Sequence, residues 1–180
     1  MFYTDCMIDI ETLGTVPGST IISIGAVCFA ENMPEQEWYK IDIGPISRRN
    51  SYWFTEDPST IAWWERQSYP AKEVYDKSRT SELSIKNALK AFKDNLPVDL
   101  RIWSNGADFD IPLLNYAFRI VSLDSPWSHK NSRCYRTIKN QHLNISADAS
   151  SGIKHNALED ALYQTRHLLK IVKMGGAHLG

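Results

Sequence analysis

The sequence predicts an α/β fold with one mixed sheet, in which a β-meander is followed by alternating helices and strands. Three runs of β-type residues, separated by turn signals, occupy residues 5–43. Beyond residue 80, stretches with helical periodicity alternate with short apolar runs. This order is typical of a mixed sheet flanked by helices. A chain of 180 residues can form a sizeable core, and we predict one domain over residues 1–180 with a flexible tail at 174–180.

The first three predicted strands form the meander. Residues 5–10 begin it, and the polar residues 15–19 mark a turn. Residues 21–29 are the run richest in β-branched and apolar residues, which favours a strand in the centre of the sheet. A turn at 31–34 precedes the alternating residues 37–43, which we predict to be the third strand.

The segment from 44 to 82 is polar, aromatic and largely irregular. Asp57 and Pro58 form a typical helix start, an N-cap followed by proline at the first helical position. We therefore predict a short helix over 58–67. A longer helix is predicted over 81–95, where apolar residues recur at helical spacing and a serine can cap the start.

The second half of the chain alternates between strands and helices. Residues 100–104 are predicted to be the fourth strand, and residues 111–121 the helix that follows it. Residues 134–138 predict a fifth strand. The polar segment 139–154 has little periodicity and predicts a loop.

The last helix has the clearest pattern in the chain. Asn156 and Glu159 form a variant of the capping box at its start. Apolar residues then recur near the helical period, and Gly175 with Gly176 marks the end. We predict one helix between these signals.

Composition narrows the class of protein. The formal net charge is −1, so a nucleic-acid partner would have to be held by local basic patches and metal ions. Cys6, Cys28 and Cys134 are far apart and lack metal or redox spacing, which predicts reduced thiols in an intracellular protein. The first residues lack a basic segment followed by a long apolar run, so we expect no signal peptide, no membrane partner and a cytoplasmic location. Monomer and homodimer both stay open.

Asp9 and Glu11 are unusual because they lie in an otherwise apolar strand. Side chains alternate across a strand, so both carboxylates share one face and repel each other. A hard divalent cation such as Mg²⁺ or Mn²⁺, which binds oxygen ligands, would remove this repulsion. The alternative is an edge strand with both acids in water, and the pair alone does not decide between the two.

Further acids lie at predicted helix starts. Asp110 follows the fourth strand, and Asp108 in the same turn competes for the same role. Asp160 lies in the first turn of the last helix, five residues after His155. Each has an ordinary alternative, since acids cap helix N-termini and complement the dipole. A histidine beside an acid cluster can be a general base, although a surface role is the common one.

Three motifs occur in an order that resembles a known family. They are Asp9-x-Glu11-Thr12, Asn105 with Phe109-Asp110, and His155-Asn-Ala-Leu-Glu-Asp160. Together they resemble the DEDD superfamily of 3′–5′ exonucleases, which has a ribonuclease H-like fold, and the histidine resembles its DEDDh branch. The short length and paired tryptophans look most like small phage and bacterial members. The middle motif has one extra residue, which keeps Asp108 as a second candidate beside Asp110.

The resemblance implies the chemistry of the site. It implies that two divalent ions, Mg²⁺ or Mn²⁺, are bound by the acids Asp9, Glu11, Asp110 and Asp160. His155 would then deprotonate the attacking water, so activity should rise from acid pH towards neutrality. The expected partner is the 3′ end of single-stranded DNA or RNA, in the cytoplasm of a bacterium or phage-infected host, with release of nucleoside 5′-monophosphates. A catalytically silent nucleic-acid-binding module and a ribonuclease H-like endonuclease are the alternatives.

Substrate-binding candidates surround the first motif. By resemblance, the turn of Thr12, Leu13 and Gly14 contacts the terminal nucleotide through its backbone and the leucine side chain. Aromatic side chains could stack on bases, or could be core; these are Trp63, Trp64 and Tyr69. Basic residues between 48 and 79 predict either a phosphate-binding surface or a solvated one; these are Arg48, Arg49, Arg66, Lys72, Lys77 and Arg79.

Overall fold

A computed structural model describes residues 2–49, 52–149, 152 and 155–179. Its strands are β1 (Asp5–Thr12), β2 (Ile21–Phe29), β3 (Tyr39–Ile43), β4 (Arg101–Ser104) and β5 (Ser132–Cys134). Its α-helices are α1 (Pro58–Glu65), α2 (Tyr69–Ser78), α3 (Ile85–Asn95), α4 (Asp110–Ile120), α5 (Tyr135–Gln141) and α6 (Ala157–Lys173). Short 3₁₀ helices occupy Glu35–Glu37 and His129–Asn131.

The strands form one mixed sheet in the order β3-β2-β1-β4-β5. The β1–β2 and β2–β3 pairs are antiparallel, as a meander requires. The β1–β4 and β4–β5 pairs are parallel. The predicted α/β fold with a mixed sheet is therefore confirmed. Because β1, β4 and β5 are parallel, their carboxyl ends lie at the same edge of the sheet.

Side-chain alternation along β1 separates the core into two layers. Ile8 and Ile10 point to the face covered by α3 and α4. Met7 points to the opposite face, where it packs with residues of α5 and α6. Every residue of β2 is buried, as expected for a central strand with both faces covered.

Two helices differ from the sequence prediction in the middle of the chain. The segment 44–82 was expected to hold one short helix, but α2 is a second one, with mostly polar residues and few buried positions. Only Ala71, Tyr75 and Ser78 of α2 are buried, so apolar residues do not recur strongly at helical spacing in this segment. The next helix begins at Ile85 and is capped by Ser84, whereas the Ser81 hydroxyl donates a hydrogen bond to the carbonyl of Pro45 at 2.6 Å.

The predicted fifth strand at 134–138 is wrong. The strand ends at Cys134, and Tyr135 already begins α5. Tyr135 and Ile138 lie three residues apart, which places both on the helix face that packs against α6. β-type composition in this short run was outweighed by that tertiary contact.

The end of the chain packs against the core. The last helix matches its prediction, and the Asn156 side chain accepts a hydrogen bond from the Glu159 amide at 3.0 Å. Leu179 is 4% exposed and lies in the α6 cluster, whereas Met174 is 63% exposed, and the flexible tail at 174–180 stays a prediction. Gly180 is outside the described part. No described helix combines the length and apolarity needed to cross a membrane.

Candidate active site

The predicted metal-binding acids come together at the edge where the parallel strands end. Asp9 and Glu11 lie in the second half of β1 and line one cavity together with Asp160 from the first turn of α6. Asp110 begins α4 at the same edge. Carboxylate oxygens of Glu11 and Asp160 and a ring nitrogen of His155 lie within 4.8 Å of one another. Three separate segments of the sequence therefore supply one acidic site.

The structure distinguishes the two candidates for the third acid. Asp110 is 3% exposed, and its Oδ1 accepts a hydrogen bond from the backbone amide of Ile10 at 3.2 Å. This bond fixes the carboxylate beside β1. Asp108 is exposed at the surface of the preceding turn. The geometry therefore favours Asp110 as the acid that joins the β1 pair.

Burial and mutual repulsion raise the pKa values of these carboxyls. Burial raises the pKa of Asp9 well above its usual value, and the three neighbouring acids raise it further. Burial, followed by the charges of Asp160 and Asp110, raises the pKa of Glu11 to about 8. Burial also raises the pKa of Asp110 to about 7, although backbone amides and the Arg136 guanidinium oppose this shift. The site concentrates negative charge that the protein itself does not neutralise.

This donor set fits a hard divalent cation. All four acids offer oxygen ligands, which Mg²⁺ and Mn²⁺ prefer. A cation between the carboxylates would stabilise their ionised forms and remove the repulsion that raises their pKa values. The residues Asp9, Glu11, Asp110 and Asp160 are thus suited to hold such an ion, and His155 is within reach of the same position.

Gln164 is a site residue that the sequence did not reveal. It is 6% exposed, and its Nε2 donates a hydrogen bond to Asp9 Oδ1 at 2.8 Å. Its Oε1 is buried without a hydrogen-bond partner among the described residues, and Gln164 is one of the residues that line the acidic cavity. The only sequence signal is its position one helical turn after Asp160, which puts both side chains on one face of α6.

Gly25 lets α6 approach the sheet closely enough for Asp160 to reach the site. It pairs with Asp9 across the β1–β2 ladder. A Cβ at this position would overlap with the backbone of Ala157 and Leu158 at the start of α6. The sequence signal was a glycine inside the run richest in β-type residues, where a close backbone approach is one reason for glycine.

Replacing Gly25 with alanine should therefore displace the start of α6 and the Asp160 carboxylate. We expect the rate of the reaction at this site to fall by about 10²-fold, since displacements of about 1 Å have effects of this size. Steady-state rates and thermal unfolding would be measured together. Ala26→Gly is the control, because it disturbs the adjacent buried position on the other face of the strand. Equal rates in the two variants at equal stability would contradict this role for Gly25.

His155 is held at the mouth of the acid site by its backbone and by its ring. Its φ of 60° places it in the left-handed region, which is uncommon for residues other than glycine. Its amide donates a hydrogen bond to Asp160 Oδ2 at 3.1 Å. Its ring packs edge-on against Trp63, with centroids 4.7 Å apart at 85°. The imidazole is therefore positioned next to the acids before any ligand binds.

A second cavity of about 470 Å³ adjoins the acids and shares Glu11 with the first. Thr12 and Gly14 line it from the turn after β1, and Trp63 lines it from α1. Phe109 closes it from the start of α4. This cavity has the size and mixed apolar and polar lining of a small-ligand site.

Two residues expected to contact substrate are largely buried, although Trp64 also lines the second cavity. Leu13 is fully buried and packs with Trp64 and Tyr75, so its side chain does not line the second cavity. Trp64 is 1% exposed and stacks on the Tyr75 ring at 5.8 Å, while its Nε1 donates a hydrogen bond to Thr12 O at 2.9 Å. Both residues hold the turn after β1 in place, Leu13 by packing in the core and Trp64 by its hydrogen bond to Thr12. Tyr69 is exposed at the start of α2.

The predicted basic surface between residues 48 and 79 is largely neutralised by local acids. Most of its cations form ion pairs, which are Arg48–Glu56, Lys72–Asp76, Lys77–Glu73 and Arg79–Glu65. Arg66 differs in that it lines the second cavity. A phosphate-binding role for this whole segment is therefore not supported, because the sequence shows charges but not which of them are paired.

The first cavity, of about 680 Å³, extends from the acids along α5 and α6. Asn105 and Lys139 line it beside the acids. A hydrogen-bonded pair fixes its far wall. The Tyr135 hydroxyl bonds to His167 Nδ1 at 2.6 Å, and His167 Nε2 donates to the carbonyl of Ile145 at 2.8 Å. The loop that carries Ile145 is thereby tied to both helices.

Comparison with known sequences points to nucleases. A family model for the 3′–5′ exoribonuclease Rv2179c-like domain matches residues 4–172. An exodeoxyribonuclease of Enterobacteria phage T4 is 27% identical over 124 residues, a match that covers 61% of this chain and 53% of the phage protein. The chain thus spans about half the length of that relative.

Solved structures share the fold. The nuclease domain of 3′hExo, a DEDDh family member bound to rAMP, gives a TM-score of 0.60 at 15% identity, over 97% of this chain and 94% of that one. Cell-death related nuclease 4 gives 0.59 at 12% identity, over 96% and 65%. The ribonuclease domain of yeast Pop2 gives 0.58 at 11% identity, over 96% and 78%. The predicted ribonuclease H-like fold is confirmed.

Proposed function

The chain belongs to the family of 3′–5′ exoribonuclease Rv2179c-like domains, within the DEDDh exonuclease superfamily, and we propose that it is a metal-dependent 3′–5′ exonuclease of single-stranded nucleic acid. It would release nucleoside 5′-monophosphates from the 3′ end. The observation that carries the proposal is the set of acids that meet at one edge of the sheet, Asp9, Glu11 and Asp110 with Asp160 beside them. Burial, and for Asp9 and Glu11 also the neighbouring acids, raise the pKa values of Asp9, Glu11 and Asp110.

The four acids would hold divalent ions, Mg²⁺ or Mn²⁺. When bound, such ions lower the pKa of water and neutralise charge on the phosphoryl and leaving oxygens. The protein contributes the orientation of the ligands. Gln164 fixes Asp9 Oδ1 at 2.8 Å, and the Ile10 amide fixes Asp110 Oδ1 at 3.2 Å. These bonds hold two carboxylates from different segments in one geometry.

His155 would take the proton from the attacking water. A general base must lie within hydrogen-bond reach of its proton, and the imidazole lies at the mouth of the acid site. Its edge contact with Trp63 and the amide bond to Asp160 limit the positions that the ring can take. The imidazole can accept this proton only in its neutral form.

The second cavity would hold the terminal nucleotide. Trp63 and Phe109 offer ring surfaces for a base or sugar, and the Thr12–Gly14 turn offers backbone groups. Glu11 lies on the boundary between this cavity and the acids. A nucleotide seated there would therefore place its phosphate next to the metal-binding carboxylates.

Digestion of 5′-labelled single strands with Mg²⁺ or Mn²⁺ tests the proposal. We expect a ladder that shortens from the 3′ end, with mononucleotide products and no cleavage of circular strands. Matched RNA and DNA oligonucleotides would be digested side by side, which also determines the sugar preference. Cleavage of circles would indicate an endonuclease, and binding without turnover would indicate a silent binding module; either result would overturn the proposal.

His155→Asn should lower the hydrolysis rate by about 10²- to 10⁴-fold, the usual contribution of a general base. Asparagine tolerates the left-handed backbone at this position better than alanine does, so the turn should be kept. The companion measurement is the rise in unfolding temperature caused by Mn²⁺. An unchanged rise with a lower rate supports a general base. Loss of the rise would instead make His155 a metal ligand, and an unchanged rate would exclude it as the base.

A further inference from the structure

A basic surface lies along the edge of the sheet beside the acids. We define it by Lys130, Arg133, Arg136 and Lys139. The segment that supplies it, residues 125–147, contains no Asp or Glu. These cations lie on the second 3₁₀ helix, on β5 and on α5. Since a cluster of cations without acids repels itself, it is suited to bind an anion.

The basic surface is continuous with the candidate active site. β5 runs parallel to β4, so the start of α5 lies at the edge where the acids meet. Lys139 lines the 680 Å³ cavity together with Asp9 and Asp160. In the turn between β4 and α4, a Cβ at Gly106 would lie 3.4 Å from Arg136 Nη2. The surface thus begins where the acid site ends.

The four cations are available to bind phosphate. Among the residues that the structure describes, no carboxylate lies within ion-pair distance of any of them, and the exposed Asp108 is the acid near Arg136 at Gly106. Lys139 lies over the Tyr135 ring at 5.5 Å, and Arg133 donates to the carbonyl of Lys130 at 2.9 Å. These contacts orient Lys139 and Arg133 without neutralising them, and the Arg136 guanidinium is near enough to the acid site to favour the ionised form of Asp110.

We propose that this basic surface binds the phosphates of the single strand upstream of the bond that is cut. The proposal rests on the proposed function, because it requires a strand whose 3′ end enters the acid site. A duplex would need cations on both sides of the site for its two backbones. On the other side, the cations between residues 48 and 79 are mostly paired with acids. A basic surface on one side of the site only is therefore suited to a single strand of nucleic acid.

The test is the double variant Arg133→Gln/Arg136→Gln with a single-stranded oligonucleotide of about 12 nucleotides. The control is Lys86→Gln/Lys90→Gln, which removes the same charge from exposed positions of α3 on the other face of the sheet. The value of kcat/KM would be measured over a range of salt concentrations. Binding of the same oligonucleotide would be measured by fluorescence anisotropy with a chelator present, so that hydrolysis does not contribute.

We expect the double variant to lose affinity by about tenfold and to reduce the slope of log K against log salt by about 1.4, since each phosphate on a single strand contributes about 0.7. The control should match the unsubstituted protein. Equal behaviour of the two variants would overturn the proposal. A loss confined to a blunt duplex would also overturn it. Absence of digestion by the unsubstituted protein would overturn the proposed function, and anisotropy alone would then decide whether the surface binds a strand.

Discussion

Replacing Asp110 with asparagine should lower the rate of hydrolysis by at least about 10²-fold, the size of effect seen when one preorganised electrostatic group is removed from an active site. Asparagine has nearly the same shape, and its side-chain oxygen can still accept the Ile10 amide that Asp110 binds at 3.2 Å. The fold should therefore persist while the carboxylate is lost. Hydrolysis rates and the unfolding temperature of the purified variant measure the two effects.

Asp108→Asn is the matched control for this substitution. Asp108 lies in the same turn but is exposed, whereas Asp110 is 3% exposed at the edge of β1. We expect Asp108→Asn to retain the rate of the unsubstituted protein. The reverse pattern, with an inactive Asp108 variant and an active Asp110 variant, would show that the extra residue in the middle motif shifts the third ligand to Asp108.

The Asp110→Asn substitution should also stabilise the metal-free protein above neutral pH. Burial raises the pKa of Asp110 to about 7, so its carboxylate is ionised above that pH while it lies beside other acids. Removing this charge removes the cost of burying an ionised carboxylate and its repulsion of Asp9 and Glu11. A metal-free Asp110→Asn protein that unfolds at a lower temperature than the unsubstituted one would contradict this electrostatic description.

Metal binding should stabilise the protein more as the pH rises, and this is the second large effect. Burial raises the pKa of Glu11 from 4.5 to about 8, and that of Asp9 is raised in the same direction. Between pH 4.5 and about 8, Glu11 keeps its proton in the folded protein and loses it in the unfolded chain. The contribution of Glu11 to metal-free stability is thus complete below about pH 4.5 and lost as the pH rises through about 8.

Divalent cations bind the ionised carboxylates and should reverse this loss. One pKa unit corresponds to about 1.4 kcal/mol, so the difference between metal-free and metal-bound stability should amount to a few kcal/mol. For a domain of this size, about 1 kcal/mol shifts the unfolding temperature by about 2–4 °C. We therefore expect Mn²⁺ to raise the unfolding temperature by several degrees more at about pH 8 than at about pH 6.

Thermal unfolding at a series of pH values, with and without Mn²⁺ or Mg²⁺, measures this dependence. Glu11→Gln should flatten it, because the substitution removes a group whose pKa is strongly raised. Asp108→Asn should leave it unchanged. A metal-induced rise of equal size at all pH values would show that the raised carboxyls are not the ligands, even if hydrolysis depends on metal.

The elements that could be predicted from sequence are those with strong local signals. β2 is a continuous β-type run, and α6 has both a cap at Asn156 and a regular apolar period. α2 and α5 escaped prediction because few of their residues are buried and local composition favoured other structures. Their positions follow from packing against neighbouring elements, which a short window of sequence does not contain.

The site shows the same division. Asp9, Glu11, Asp110, Asp160 and His155 carry recognisable chemistry in a recognisable order, so the sequence identified them as candidates. Two further residues contribute through contacts between distant segments. The Gln164 side-chain amide orients Asp9, and Gly25 lets α6 approach the sheet closely. A residue type alone does not reveal such contacts, since Gln and Gly have many ordinary uses.

By itself, the sequence determined the order of the strands in the meander, the final helix and the types of side chain available for metal binding. Only the tertiary structure decided which charges are free and which are paired. Arg48 and Lys77 have partners in the fold, whereas Arg136 and Lys139 have no acid within ion-pair distance among the described residues. The physical reason is distance: a charge is visible in the sequence, but its interaction energy depends on neighbours that folding brings close.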